Sequence, residues 1–269
     1  MDDRLRPPPG TLGIYRRLLG AHLRAVLEYR ADALLTVGAT VLGQLAGLVF
    51  VVTIFAQTPV LMGWTRWEVL CVCGMVMLAE GVGSLFCEGA WQLSGMVNLG
   101  GLDYFLVRPY PVVLQVTGSA VGVNGLGNVL IGGALLGTAA GRIEVTWTPL
   151  ALLWAGILLV SGMLVKTALS LATNALAFWL LSPSNSIAVS VHLLGDLARY
   201  PLSVYGPGVR SLLTVVPVAF VGYFPAAALL DKGGSATVGA LTPLVALAAV
   251  AGAWAVFGLG LRRYESAGT

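Results

Sequence analysis

Four charged side chains lie in stretches of the sequence that are otherwise apolar: Glu80, Lys166, Asp196 and Arg199. Charge is costly in hydrocarbon, so ionisable groups inside apolar spans predict a path for a substrate or an ion. Glu80 is the strongest candidate because it falls near the middle of its apolar run. We expect Glu80 to pair with Lys166 or with a partner subunit.

A purely structural interpretation of these charges stands beside the functional one. Asp196 and Arg199 are three positions apart, so on a helix they share a face and can neutralise each other. The long side chain of Lys166 can reach the inner lipid headgroups.

Motifs for catalysis are absent from the sequence. Neither Lys166 nor Lys232 follows a glycine at the spacing of a phosphate-binding loop, so we expect no ATPase site in this chain. Cys71 and Cys73 form a Cys-x-Cys pair, but no further cysteine or histidine is placed to complete a metal site. The sequence therefore predicts no enzymatic activity, no metal, no disulfide and no cofactor in this chain.

The composition predicts an all-α integral membrane protein. Of 269 residues 57% are hydrophobic and only 10% are charged, and the mean hydropathy is +0.88. A soluble domain carries about 25% charged residues, so this chain lacks the polar groups to cover a surface in water. Apolar runs recur at lengths of about 20 residues, which suit helices that cross a bilayer. A net charge of +3 indicates anchoring by arginines rather than nucleic-acid binding.

The apolar runs predict one transmembrane domain, residues 31–269, with six spans. Their approximate bounds are 33–56, 69–86, 112–138, 150–181, 186–205 and 238–261. Residues 87–111 form the loop between the second and third spans. Arginines are concentrated in the segments that this topology places inside, so both termini are predicted to be cytoplasmic.

The segment 212–230 is predicted to form re-entrant helices on the outer side, because Pro217 and Pro225 interrupt it. Irregular backbone at membrane depth is tolerated only where protein or a cavity surrounds it, which places both prolines near a path. In the alternative, 212–230 is itself the fifth span and 186–210 is a cytoplasmic loop.

Residues 1–30 are predicted to form an exposed tail followed by an interfacial amphipathic helix. Its polar face carries Arg16, Arg17 and Arg24, which suit anionic lipid headgroups. The alternative is a soluble linker helix.

The loop between the second and third spans carries the most specific pattern. Residues 98–109 read NLGGLDYFLVRP, which resembles the G-x-(I/L)-D-x-x-L-x-R-P signature of bacterial ABC-2 type transporter permeases. The runs YPLS at 200–203 and YFPA at 223–226 are similar to later segments of that family. The resemblance covers nearly the whole chain.

This resemblance implies a half-transporter of the bacterial inner membrane that works as an exporter. Two permease chains, identical or paralogous, would sit on two copies of a separate ATPase subunit, which would hold ATP and Mg²⁺. A coupling helix at about 96–108 would dock on the ATPase, with Leu102 and Phe105 as apolar contacts. The full set of expected contacts is Met96, Leu102, Asp103, Tyr104, Phe105 and Arg108.

Other interpretations remain open for this chain. Asp103 and Arg108 can form a surface pair that only caps a loop. An ion-coupled secondary transporter would use Glu80, Lys166 and Asp196, but would predict inverted repeats with broken helices in both halves. A lipid-modifying enzyme would predict a polar cluster at one membrane face.

Overall fold

The computed structural model describes residues 28–180 and 185–265, with the single positions 13, 20 and 24. These residues form helices and one two-stranded hairpin, in which β1 (Val60–Leu61) pairs antiparallel with β2 (Trp64–Thr65). The helices are α1 Arg30–Gln57, α2 Arg66–Asn98, α3 Asp103–Leu106, α4 Val112–Thr117, α5 Asn124–Ala140, α6 Pro149–Ala175, α7 Ser186–Leu197, α8 Pro207–Val215, α9 Tyr223–Leu229, α10 Gly234–Gly239 and α11 Thr242–Leu261. Short 3₁₀ turns lie at Leu176–Phe178, Leu202–Val204 and Val218–Phe220.

Four of the described helices are long and apolar enough to cross a membrane. They are α1, α2, α6 with the 3₁₀ turn that continues it, and α11. Helix α5, with 17 residues, is about 26 Å long, and α7, with 12 residues, is about 18 Å long. The mainly helical, apolar architecture agrees with the prediction of an integral membrane protein.

Helix α2 is much longer than the predicted second span. It has 33 residues, and its start is capped by Glu68, whose carboxylate accepts a 2.8 Å hydrogen bond from the backbone N–H of Thr65. The structure thus corrects the predicted boundary at Phe86, because the first twelve residues of the predicted loop 87–111 are helical. Leu93 and Val97, both buried, hold this extension against the rest of the chain.

Helix α2 bends at Cys87, where φ is −134° and ψ is 27°. Just before the bend, the carbonyl oxygen of Ser84 accepts a 2.9 Å hydrogen bond from the N–H of Gly122, in the connection between α4 and α5. A kink needs another partner for the carbonyls that it releases from the helical ladder, and Gly122 supplies one.

Helices α2 and α5 cross with their backbones in close contact at two pairs of glycines. A Cβ atom added to Gly81 would lie 2.7 Å from the carbonyl oxygen of Gly125, and one added to Gly74 would lie 3.1 Å from that of Gly132. Glycines at helix crossings let membrane helices approach without lipid between them. This contact makes α2 and α5 one unit.

The predicted third span, 112–138, is divided in the structure. Helix α4 covers only Val112–Thr117, and α5 begins at Asn124 and extends to Ala140. Helix α4 packs on the C-terminal extension of α2, where Gly89 faces the carbonyl group of Val116.

The segment 186–230 forms short helices rather than one span. Helix α7 ends at Leu197, eight residues before the predicted end of the fifth span, and the alternative span 212–230 is split into α8, a 3₁₀ turn and α9. Residues 218–227, including Pro225, are buried, whereas most of α8 is exposed.

Helix α1 stands at the margin of the described fold. Of its 28 residues only Val51 is fully buried, and it packs mainly against α5. The interfacial helix predicted before it falls largely outside the described residues, as do Arg16 and Arg17. Arg24 is described and is helical and exposed.

Candidate functional site

Glu80 lies at the centre of a network of charged side chains. Only 7% of its side chain is exposed, and its two carboxylate oxygens contact different cations. Lys166 Nζ on α6 lies 3.1 Å from Oε1, and Arg199 Nη2, just after α7, lies 2.9 Å from Oε2. A buried carboxylate needs such partners to remain charged, and Glu80 has two.

Arg199 extends the network to three further side chains. Its Nη1 donates a 2.9 Å hydrogen bond to Gln44 on α1, and its Nη2 lies 3.0 Å from the carboxylate of Asp196. The amide nitrogen of Gln44 in turn donates a 2.7 Å hydrogen bond to Asn128 on α5. One guanidinium group therefore joins α1, α2 and α7, and through Gln44 it reaches α5.

Lys166 has a second partner in His192 on α7, whose Nδ1 lies 2.9 Å from its Nζ. The ammonium group can only donate here, so Nδ1 is the acceptor and the imidazole carries its proton on Nε2. The imidazole also packs near Trp91, with the ring centroids 5.4 Å apart.

These side chains line a cavity of about 530 Å³ between α1, α2, α5, α6 and α7. The kink at Cys87 forms part of its wall, and Glu88 and Trp91, on the extension beyond the kink, also face it. The volume is in the range of small-molecule sites. A solute that binds in or passes through this cavity would meet the polar side chains of the protein, because the surrounding apolar helices keep those side chains away from lipid.

The structure brings together four of the six side chains predicted to line a path. Glu80 pairs with Lys166, and Asp196 with Arg199, as expected from the sequence. Pro217 and Pro225 are not among the cavity-lining residues in the described part of the chain. The lining residues that were not predicted include Gln44, Glu88, Trp91, Asn128 and His192.

The loop predicted to dock on an ATPase has a different exposed surface from the expected one. Leu102 is 0% exposed and Phe105 is also buried, both in the apolar core formed with α2, α4, α6 and α11. Neither can be an exposed apolar contact, because this chain already covers both. Exposed apolar side chains are instead provided by Leu99, Tyr104, Leu106 and Val107.

The other predicted contact residues of this loop are only partly exposed. Met96 is half-buried against the same core. The guanidinium of Arg108 lies over the exposed ring of Tyr104, 3.9 Å from its centroid, which is a cation–π contact. Asp103 lies near Tyr264 beyond α11, and burial together with this carboxylate raises the pKa of Tyr264.

Comparison with known proteins gives one match that covers most of the chain. Residues 41–268 match the family described as ABC-2 family transporter protein. No curated protein and no solved structure matches the chain.

Proposed function

The chain belongs to the ABC-2 family of transporter proteins, and from this premise we propose that it is the permease subunit of an ATP-driven exporter in the bacterial inner membrane. Membership makes it the membrane component of an ABC transporter, a component that has no ATPase domain of its own. The proposal adds the direction of transport, the surface that receives force, the partner subunits and the path.

Six crossings are supported by contacts at both ends of the segment 185–232. Asn185 contacts Asn174 near the last turn of α6, whereas Lys232 lies 2.8 Å from Glu68 in the first turn of α2. Helices α2 and α6 run in the same direction, because Met75 and Leu159 line one pocket near their starts and Glu80 contacts Lys166 further along both. The two contacts of the segment therefore lie at opposite ends of the bundle. The chain therefore crosses once between them. In this proposal α7 provides the crossing, and the buried segment 218–227 is the re-entrant element. An even number of crossings leaves both termini on one side, the cytoplasm.

The surface that contacts the ATPase is formed by the end of α2 and by α3. Leu99, Tyr104 and Val107 present apolar groups, and Arg108 adds a charge stacked on Tyr104. Leu102 and Phe105 support this surface without being exposed on it, because their buried side chains fix α3 to α2 and α4. A displacement of α3 by closing ATPase subunits would then reach the kink at Cys87 through the turn 99–102 and the last part of α2.

The charged cavity is the part of the translocation path that this chain contributes. It contains Glu80, Lys166, Asp196 and Arg199 and borders α1, whose exposed face suits a second permease, identical or paralogous, as well as lipid. The observation that carries the proposal is the family match over 228 positions, from 41 to 268, combined with this cavity.

Copurification tests the proposal. Tagged chain is purified from membranes that also contain the ATPase encoded beside it, and Tyr104→Ala/Arg108→Ala is compared with wild type and with Arg210→Ala, an exposed arginine of α8. The ATPase should accompany wild type and Arg210→Ala and be lost or uncoupled in the double variant. Transport by the isolated chain without ATP, dependent on Glu80, would instead establish the ion-coupled alternative.

A further inference from the structure

The charges that line the cavity do not cancel. Three carboxylates, Glu80, Glu88 and Asp196, face two cations, Lys166 and Arg199. Glu80 and Asp196 are both in ion pairs, so the carboxylate left over is Glu88. Among residues 28–180 and 185–265, no lysine or arginine lies within ion-pair distance of Glu88.

Glu88 is held in place by its surroundings. A Cβ atom at Gly122 would lie 2.6 Å from Glu88 Oε2, so the carboxylate occupies the space that the missing side chain leaves. Asn124 borders the same space and also lines the cavity. The bend at Cys87, immediately before Glu88, directs this turn of α2 toward the cavity.

Trp91 lies three residues after Glu88, so the indole and the carboxylate share a helix face, and both line the cavity. An anionic group beside an aromatic ring is the arrangement that recognises organic cations, because the ring face attracts positive charge. His192 packs against the same indole and fixes it in the wall.

We propose that this cavity binds an organic monocation of small-molecule size, with Glu88 as its counter-ion and Trp91 as the ring against which it packs. The proposal rests on the transport function above and specifies its substrate class. A monocation neutralises Glu88 and leaves the pairs of Glu80 intact. An anion would meet Glu88 and would have to displace Glu80 from Lys166 and Arg199.

A bare metal ion fits the site less well. No group of three histidine, cysteine or acidic side chains able to hold a metal ion is found within the described part of the chain. The volume of about 530 Å³ suits an organic molecule with an apolar body.

The test compares two probes of the same shape and opposite charge, tetraphenylphosphonium and tetraphenylborate. Binding of each to the purified full chain in detergent is measured by equilibrium dialysis. Wild type should bind the phosphonium saturably, and Glu88→Gln should raise its Kd roughly tenfold through loss of the counter-ion. Glu144→Gln removes an exposed carboxylate outside the cavity and should leave the Kd unchanged. Binding of the borate should not weaken in Glu88→Gln.

Two further variants distinguish loss of the binding site from loss of the fold. Glu88→Asp keeps the charge and should retain most of the affinity, and Trp91→Leu should weaken phosphonium binding roughly threefold to tenfold. The proposal is overturned if wild type fails to bind the phosphonium saturably, if Glu88→Gln binds it as tightly as wild type, or if tetraphenylborate binds more tightly. Any of these results would leave copurification with the ATPase unaffected, so the two proposals can fail separately.

Discussion

Glu80 and Arg199 are 119 positions apart in the chain, yet Oε2 of the first lies 2.9 Å from Nη2 of the second. The contact joins the middle of α2 to the turn that follows α7, at the start of a segment of short helices and 3₁₀ turns. A single buried carboxylate thus positions a segment that cannot cross the membrane as one regular helix.

Removing the Glu80 charge should destabilise the protein strongly. Glu80→Gln leaves Lys166 and Arg199 without their buried partner, and loss of one member of a buried pair costs about 3–5 kcal/mol. Denaturant titration in detergent micelles measures the free energy of unfolding. Asp196→Asn is the control, because Asp196 is 44% exposed and its pair with Arg199 is worth about 0–1 kcal/mol. Equal losses in the two variants would contradict the central role of Glu80.

Two glycines of α5 should respond to alanine in opposite directions. A Cβ at Gly125 would lie 2.5 Å from the carbonyl oxygen of Gly81, so Gly125→Ala forces α2 and α5 apart and should cost about 1–3 kcal/mol. Gly133 has no atom within 4 Å of such a Cβ, and alanine there should stabilise the helix by up to about 1 kcal/mol. Thermal unfolding in detergent compares the variants, and a loss at Gly133 as large as that at Gly125 would refute the crossing.

Two leucines beside α3 should separate folding from docking. Leu102 is buried, so Leu102→Ala should lower the free energy of unfolding by about 2–5 kcal/mol. Leu99 is 83% exposed, so Leu99→Ala should change stability by no more than about 0.5 kcal/mol while reducing the amount of ATPase that copurifies. Unaltered copurification in Leu99→Ala would move the docking surface elsewhere.

A positive charge at position 199 should not by itself be sufficient to stabilise the network around Glu80. Its guanidinium contacts Gln44, Glu80 and Asp196 at once, and a lysine cannot reproduce three directed contacts. We expect Arg199→Lys to lose about 1–3 kcal/mol of stability through the unpaired groups, as measured by denaturant titration. Arg210→Lys, at an exposed position of α8, should behave as wild type. If Arg199→Lys were as stable as wild type, a positive charge at this position would be sufficient for stability.

Sequence reasoning identified the charged centre because charge is rare in apolar runs. Glu80, Lys166, Asp196 and Arg199 stood out for that reason, and two of their pairings follow from burial and helix periodicity. The pair of Glu80 with Arg199 could not be predicted, because it depends on the way in which 186–205 folds back. Gln44 and Asn128 could have been identified as site residues from the sequence, because amide side chains inside apolar helices need hydrogen-bond partners.

The length of α2 was missed for a different reason. Residues 87–98 mix glycine, serine and polar side chains, a composition typical of a loop, but tertiary contacts account for several of them in the structure. Glu88 faces the cavity, Gly89 packs against the carbonyl group of Val116, and Leu93 and Val97 are buried. Only the tertiary neighbours make this stretch a helix. Leu102 and Phe105, predicted as apolar contacts with the ATPase, are covered by this chain for the same reason.

The bend at Cys87 also gives the protein a built-in chemical reporter. Cys71 and Cys73 are buried in α2, whereas Cys87 is partly exposed and borders the cavity. A small maleimide should therefore label Cys87 first in the native protein, without any engineered cysteine. The rate of that alkylation, followed by intact-mass measurement, reports how open or how occupied the cavity is at each stage of the ATP cycle.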